Sequence, residues 1–153
     1  MVHKKQIFVL DDVISEEFCN KLRSIIIETE GRQEKWGPGE NVQCKYTTNH
    51  TKDIDDELFK IVGDIIVKIR KANPDIRINS DSSYQLREIY GETRLHTDGI
   101  LPDPGPDAPR SLSLIIALND DYEGGELYFP NQEYKIKLKR GQAIAFPPYW
   151  THP

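Results

Sequence analysis

His96 and Asp98 are separated by one residue, and on an extended backbone side chains two apart project to the same side. An imidazole and a carboxylate so placed can share one cation. They supply two of the three ligands of a 2-His-1-carboxylate set, which grips non-haem Fe(II) by one face and leaves the opposite positions open. Taken alone, His-x-Asp also describes a strand end whose two polar side chains are simply hydrated. The remainder of the chain must decide between the two.

The residues before the pair alternate. Tyr84, Leu86, Glu88 and Tyr90 share the parity of His96 and Asp98, so Tyr84 and Tyr90 are expected to line the same cavity unless Gly91 bulges the strand and resets it. After the pair, residues 99–109 hold Pro102, Pro104, Pro106 and Pro109, which excludes helix and central strand and leaves a loop over the site. A strand is expected over 111–118, a turn over 119–125 around Gly124 and Gly125, and a strand over 126–129. Strands over 134–138 and 142–146, joined by the turn Lys139-Arg140-Gly141, complete a meander.

Two helices precede these strands. The short β-rich run Ile7-Phe8-Val9-Leu10 ends at Asp11 and Asp12, and Ser15 offers an N-cap with Glu16 and Glu17 in the first turn. Phe18, Leu22, Ile25 and Ile26 form one apolar face, and Gly31 is the expected C-terminal stop. Residues 31–50 read as loop with one short strand over 42–46, and Trp36 and Tyr46 as core, with a substrate-facing place as the alternative. Asp53 is the expected cap of a longer helix whose Ile54, Leu58, Ile61, Ile65 and Ile69 follow the 3.6 period until Asn73-Pro74. Each apolar stripe needs a layer to cover, so the expected class is α+β, mainly β: a sandwich or jelly roll with two N-terminal helices on one face.

At 153 residues a single domain, 1–153, is expected. Twenty lysines and arginines against 25 aspartates and glutamates give a net charge of -5 with no basic block, which argues against nucleic acid or an anionic membrane as partner. Cys19 falls in a helix and Cys44 in an irregular stretch, without zinc or disulfide spacing, so both read as reduced thiols. A polar start and the lack of a long apolar run imply a cytoplasmic protein. A monomer or a weak homo-oligomer is expected.

In order along the chain, the run from Phe8 to Cys19, the Leu95-His96-Thr97-Asp98 segment, the Arg110-led strand ending in Leu118-Asn119, Tyr122-Glu123-Gly124-Gly125-Glu126-Leu127-Tyr128-Phe129-Pro130, and Arg140-Gly141-Gln142-Ala143-Ile144-Ala145-Phe146-Pro147 resemble the Fe(II)- and 2-oxoglutarate-dependent dioxygenases of the prolyl 4-hydroxylase type, including small phage and bacterial members. The resemblance covers nearly the whole chain. It implies a double-stranded β-helix and the oxidative decarboxylation of 2-oxoglutarate, with O2, to succinate and carbon dioxide, coupled to hydroxylation of a prolyl or other residue of a peptide or protein, or of a small molecule. Ascorbate is implied as an accessory reductant.

Residue by residue, the resemblance assigns His96 and Asp98 to the metal. His152, the only later histidine, is the third candidate ligand within the chain, whereas His3 and His50 lie outside the pattern and are expected to be solvated. Two departures fall late in the sequence. The family's third ligand commonly follows a proline and precedes a strand with a basic residue for 2-oxoglutarate, but here the sequence reads Trp150-Thr151-His152-Pro153. Either His152 is the ligand in an unusual position or that histidine and a last strand would follow Pro153; the pattern favours the second, which would leave the 153 residues catalytically incomplete. Where the family often has a hydroxyl, the strand carries Ile115, Ile116 and Ala117, so Tyr84, Tyr90 and Ser113 become the expected polar contacts of the cosubstrate, with Arg110 or Arg94 as substitute cation. A cupin-like metal jelly roll with isomerase or hydrolase chemistry, and a degenerate member that binds without turnover, are the alternative readings.

Overall fold

The computed structural model describes residues 1–4, 6–35, 44–78, 81, 83–93, 95–98 and 112–148. Strand β1 (Val2–Lys4), in the polar start, turns through Gln6 at a φ of 67° into β2 (Ile7–Leu10), all four of whose residues are buried. Helix α1 (Glu16–Glu28) starts as its sequence expects: the Ser15 side chain accepts the Phe18 N–H at 3.1 Å, and Glu16 and Glu17 face the positive end of the helix. Its end differs. Thr29, in extended conformation, is the C-cap, so Gly31 is not the stop. Gly31 instead permits a close approach, because a Cβ there would lie 2.7 Å from the Tyr46 carbonyl oxygen.

That approach belongs to a strand pair inside the stretch expected to be mostly loop. Strand β3 (Arg32–Glu34) pairs antiparallel with β4 (Cys44–Thr47), which pairs with β5 (Leu86–Ile89). Cys44 is thus a buried strand residue and not part of an irregular segment, and it and Cys19 are both free thiols. Lys45 of β4 donates from Nζ to the Ile26 carbonyl at 2.6 Å. It supplies the cation that the last turn of α1 lacks in its own sequence.

Helix α2 (Lys52–Ala72) begins at Thr51, two residues before the expected cap, which places Asp53 and Asp55 in the first turn, and Arg70 and Lys71 occupy the last. Ile54, Leu58, Val62, Ile65 and Ile69 are buried. Contrary to the expectation that it is solvated, His50 has a side chain only 3% exposed, with Nε2 2.7 Å from Asp55 Oδ1. The first turn of α2 brings that carboxylate back over the residue that precedes the helix.

In the second half, β6 (Ser113–Ile116), β7 (Leu127–Phe129), β8 (Tyr134–Ile136) and β9 (Ala143–Phe146) fall within the expected strands. Their connectivity is not a meander. β7 and β8 form a hairpin across a 3-10 turn at Pro130–Gln132, while β9 pairs with β2 and β6 in an antiparallel sheet of order β1-β2-β9-β6. Burial explains the choice: all four residues of β9 are buried, which suits a strand covered on both faces and not one beside an exposed hairpin.

The alternation of β2 and β9 builds a core on each side of this sheet. Phe8, Leu10, Ala143 and Ala145 pack with Ile65 and Ile69 of α2. Ile7, Val9, Ile144 and Phe146 pack with Phe129 and Leu138, Phe129 meeting Phe146 edge-to-face at 5.0 Å between centroids. A third cluster joins Phe18, Leu22 and Ile26 of α1 to Ile54 and Leu58 of α2 and to Leu86 of β5. Two helices and antiparallel sheets in layers therefore account for the core, as the α+β class requires. Among the described residues no helix is long and apolar enough to cross a membrane.

Candidate metal centre

The first residue of β6, Ser113, is paired with the last residue of β9, Phe146, so this end of the sheet is where one strand begins and another leaves. Asp98 is fastened there twice. Its N–H donates to the Pro148 carbonyl at 2.8 Å, and its Oδ2 accepts the Ser113 hydroxyl at 2.6 Å. With one carboxylate oxygen held by the buried serine, the other, Oδ1, lies 3.2 Å from His96 Nε2. The Asp98 and His96 side chains are 24% and 37% exposed, which leaves the site accessible from outside.

That spacing fits a shared cation. Two ligand atoms at right angles about an ion, each about 2.1 Å from it, stand about 3.0 Å apart. An imidazole nitrogen and a carboxylate oxygen are also the donor types that non-haem iron takes. No group of three or more candidate ligands occurs among the described residues, and His152, Arg94 and Arg110 lie outside them.

Of the other expected site residues, Ser113 is brought to the metal pair, although its hydroxyl is committed to Asp98. The sequence carried a faint signal for this role: a serine between Leu112 and Leu114, at the start of an apolar strand, is a buried hydroxyl that needs a partner. Tyr84 and Tyr90 each donate their phenol to a nearby carboxylate, Tyr84 to Asp81 and Tyr90 to Glu88 Oε2 at 2.7 Å. Burial, reinforced by Asp81, holds the Tyr84 phenol well above its ordinary range, and the Glu88 bond pushes Tyr90 up to about 12. Tyr84 also lines an open groove of about 290 Å³ with Asp55, Asp56, Phe59, Asp81 and Ser83, on the flank of α2.

The chain aligns in space with the viral collagen prolyl hydroxylase of Paramecium bursaria Chlorella virus-1, solved as its 2OG complex, at a TM-score of 0.66 over 95% of this chain and 78% of that one, with 22% identity. The fold is that of the prolyl 4-hydroxylases. A truncated form of the same viral enzyme superposes at 0.66 over 99% of this chain and 84% of the other, with 21% identity. A Pseudomonas putida prolyl-4-hydroxylase superposes at 0.64 over 96% and 83%, with 14% identity. In sequence, 39 residues are 44% identical to the "Putative prolyl 4-hydroxylase" of Acanthamoeba polyphaga mimivirus, which is 26% of this chain and 16% of that protein. No family model matches the sequence. The prolyl 4-hydroxylase fold thus accommodates the two helices and antiparallel sheets found here.

Proposed function

We propose that the chain is an Fe(II)- and 2-oxoglutarate-dependent dioxygenase that hydroxylates a prolyl or other residue of a peptide or protein, or a small molecule, within a double-stranded β-helix. The observation that carries the reading is the His96–Asp98 pair at 3.2 Å on a carboxylate anchored by Ser113. Iron(II) held there would supply the O2-dependent decarboxylation of 2-oxoglutarate to carbon dioxide and succinate, one oxygen atom of O2 entering succinate and the other a substrate C–H bond.

The protein's own residues do the positioning. Ser113, by donating to Oδ2, keeps Asp98 from rotating and presents Oδ1 beside the imidazole, the kind of outer contact that tunes a metal ligand. The Asp98 N–H to Pro148 bond ties the pair to the chain just after β9, four residues before His152 in sequence. His152, outside the described residues, is the proposed third ligand within the chain. Arg110 or Arg94 is the proposed cation for the cosubstrate, since a carboxylate taken out of water unpaired costs several kcal/mol. Tyr84 and Tyr90 serve the cosubstrate only if their phenols leave Asp81 and Glu88.

Anaerobic calorimetry with Fe(II) or Mn(II), followed by oxygen-dependent succinate release from 2-oxoglutarate with ascorbate present, tests the proposal. His96→Ala and Asp98→Ala should each lose metal binding and turnover. Both variants binding metal like the parent would remove the site assignment. Metal binding by the parent with no binding of 2-oxoglutarate, which an oxygenase must hold and a cupin need not, would favour the cupin-like reading.

A further inference from the structure

The face of α2 turned away from the sheet carries Asp56, Phe59, Gly63, Val67 and Arg70, spaced by three, four, four and three residues so that they form one stripe along the helix. Phe59 is 63% and Val67 53% exposed, large values for side chains of this kind, and Asp56 and Arg70 are exposed as well. A Cβ at Gly63 would meet nothing within 4 Å.

We propose that this stripe is the contact face of a two-fold dimer, formed by α2 packing antiparallel on α2 of a second copy. The stripe reads the same in both directions in kind. Phe59 lies four residues before Gly63 and Val67 four after it, while Asp56 lies seven before and Arg70 seven after. A two-fold axis at Gly63 therefore opposes Phe59 to the second copy's Val67 and Asp56 to its Arg70, each twice, which is the self-complementarity an isologous contact requires. A parallel arrangement would oppose like charges. Gly63 at the crossing point lets the two backbones approach closely, a use that explains a glycine in the middle of a long helix, where it otherwise only weakens the element.

The Asp56 carboxylate is engaged by Lys52 at 2.6 Å, both side chains being largely exposed, so this solvated pair can be exchanged for one across the interface at little cost. A contact between two single helices falls below the roughly 1,200 Å² at which stable interfaces begin, so the dimer is weak and concentration-dependent.

Sedimentation equilibrium across a concentration series tests this without reference to any catalytic activity. The parent should self-associate, and Asp56→Arg and Arg70→Asp should each weaken association by at least about tenfold, because each opposes like charges at two places. Mixed together, the two variants should form a heterodimer. The reversed charge at position 56 of one chain then meets the reversed charge at position 70 of the other, and the two unchanged positions oppose each other as they do in the parent. Phe59→Ser should weaken the parent and the mixture alike. A parent that stays monomeric throughout, leaving the face to some other partner, would overturn the proposal. So would self-association indifferent to both charge reversals, or variants that do not pair when mixed.

Discussion

Ser113 shows what one hydroxyl contributes at this site. Removing it in Ser113→Ala leaves a well-packed strand start but takes away the bond that holds Asp98 Oδ2, so metal affinity should fall by roughly 10–100-fold, the usual cost of losing an outer contact to a ligand. Ser113→Thr, which keeps the hydroxyl, should retain most of it; equal affinity in Ser113→Ala, read by Mn(II) calorimetry, would show that the bond does not orient the ligand. The closeness of His96 and Asp98 was legible in the sequence because it depends on a two-residue spacing that any extended backbone respects. The serine's partner was not, since the bond joins positions 15 residues apart across a sheet end. The same limit hid the burial of His50 and Cys44, both placed by contacts that no local pattern announces. Burial pushes the Cys44 thiol up to about 11, so between about pH 9 and 11 the folded chain retains a proton that the unfolded chain loses. The thiol's contribution to stability should therefore be level below pH 9 and fall between about pH 9 and 11, by roughly 1.4 kcal/mol per pH unit. Urea titrations of the parent and Cys44→Ala should differ in slope within that window, and parallel curves would deny the thiol this part.

Identical substitutions in two elements should have opposite signs. At Gly63 of α2 a methyl group meets open space, so Gly63→Ala should stabilise the monomer by roughly 0.5–1 kcal/mol through helix propensity alone. At Gly31, before β3, it meets the Tyr46 carbonyl at 2.7 Å and Lys45 Cγ at 2.9 Å, so Gly31→Ala should cost about 1–3 kcal/mol as the strands are forced apart. Thermal denaturation of both variants at low protein concentration decides it, and a shared sign would mean that backbone contacts govern neither. These positions also mark how far the elements could be read from sequence. Helix α2 was legible from its apolar period, which is local, and its start was misplaced only because Asp53 and Thr51 are both good N-terminal residues. β3 was missed because three polar residues, Arg32, Gln33 and Glu34, become a strand through pairing with β4 and have no apolar alternation of their own. The meander was wrong for a related reason: strand existence is written in local pattern, whereas the partner of β9 depends on what must be buried on both of its faces.

At the scale of the molecule, β9 links the stability of the sheet to the candidate metal site. Its Ala143 and Ala145 face Ile65 and Ile69 of α2, its Ile144 and Phe146 face Phe129 and Leu138, and the chain two residues after Phe146 accepts the Asp98 N–H. A cation gripped by His96 and Asp98 in the folded chain alone stabilises that chain by mass action, about 2.7 kcal/mol at a free concentration 100 times its dissociation constant. For a domain of this size each kcal/mol moves Tm by roughly 2–4 °C, so saturating Mn(II) should raise it by roughly 5–11 °C. Asp98→Ala should abolish the shift. Ala145→Leu should lower the metal-free Tm, because the small residue is what lets α2 sit on the strand, and a larger one costs about 1–3 kcal/mol of overpacking. Its metal-induced shift should nevertheless match the parent's, since Ala145 packs on α2 whereas Asp98 is held by Ser113 and Pro148, and effects at separate sites add. Calorimetric scans of the three chains with and without Mn(II) give all these values. A full shift in Asp98→Ala would place the cation elsewhere, and a shift lost in Ala145→Leu would mean that packing on the α2 face of β9 holds the metal pair in place.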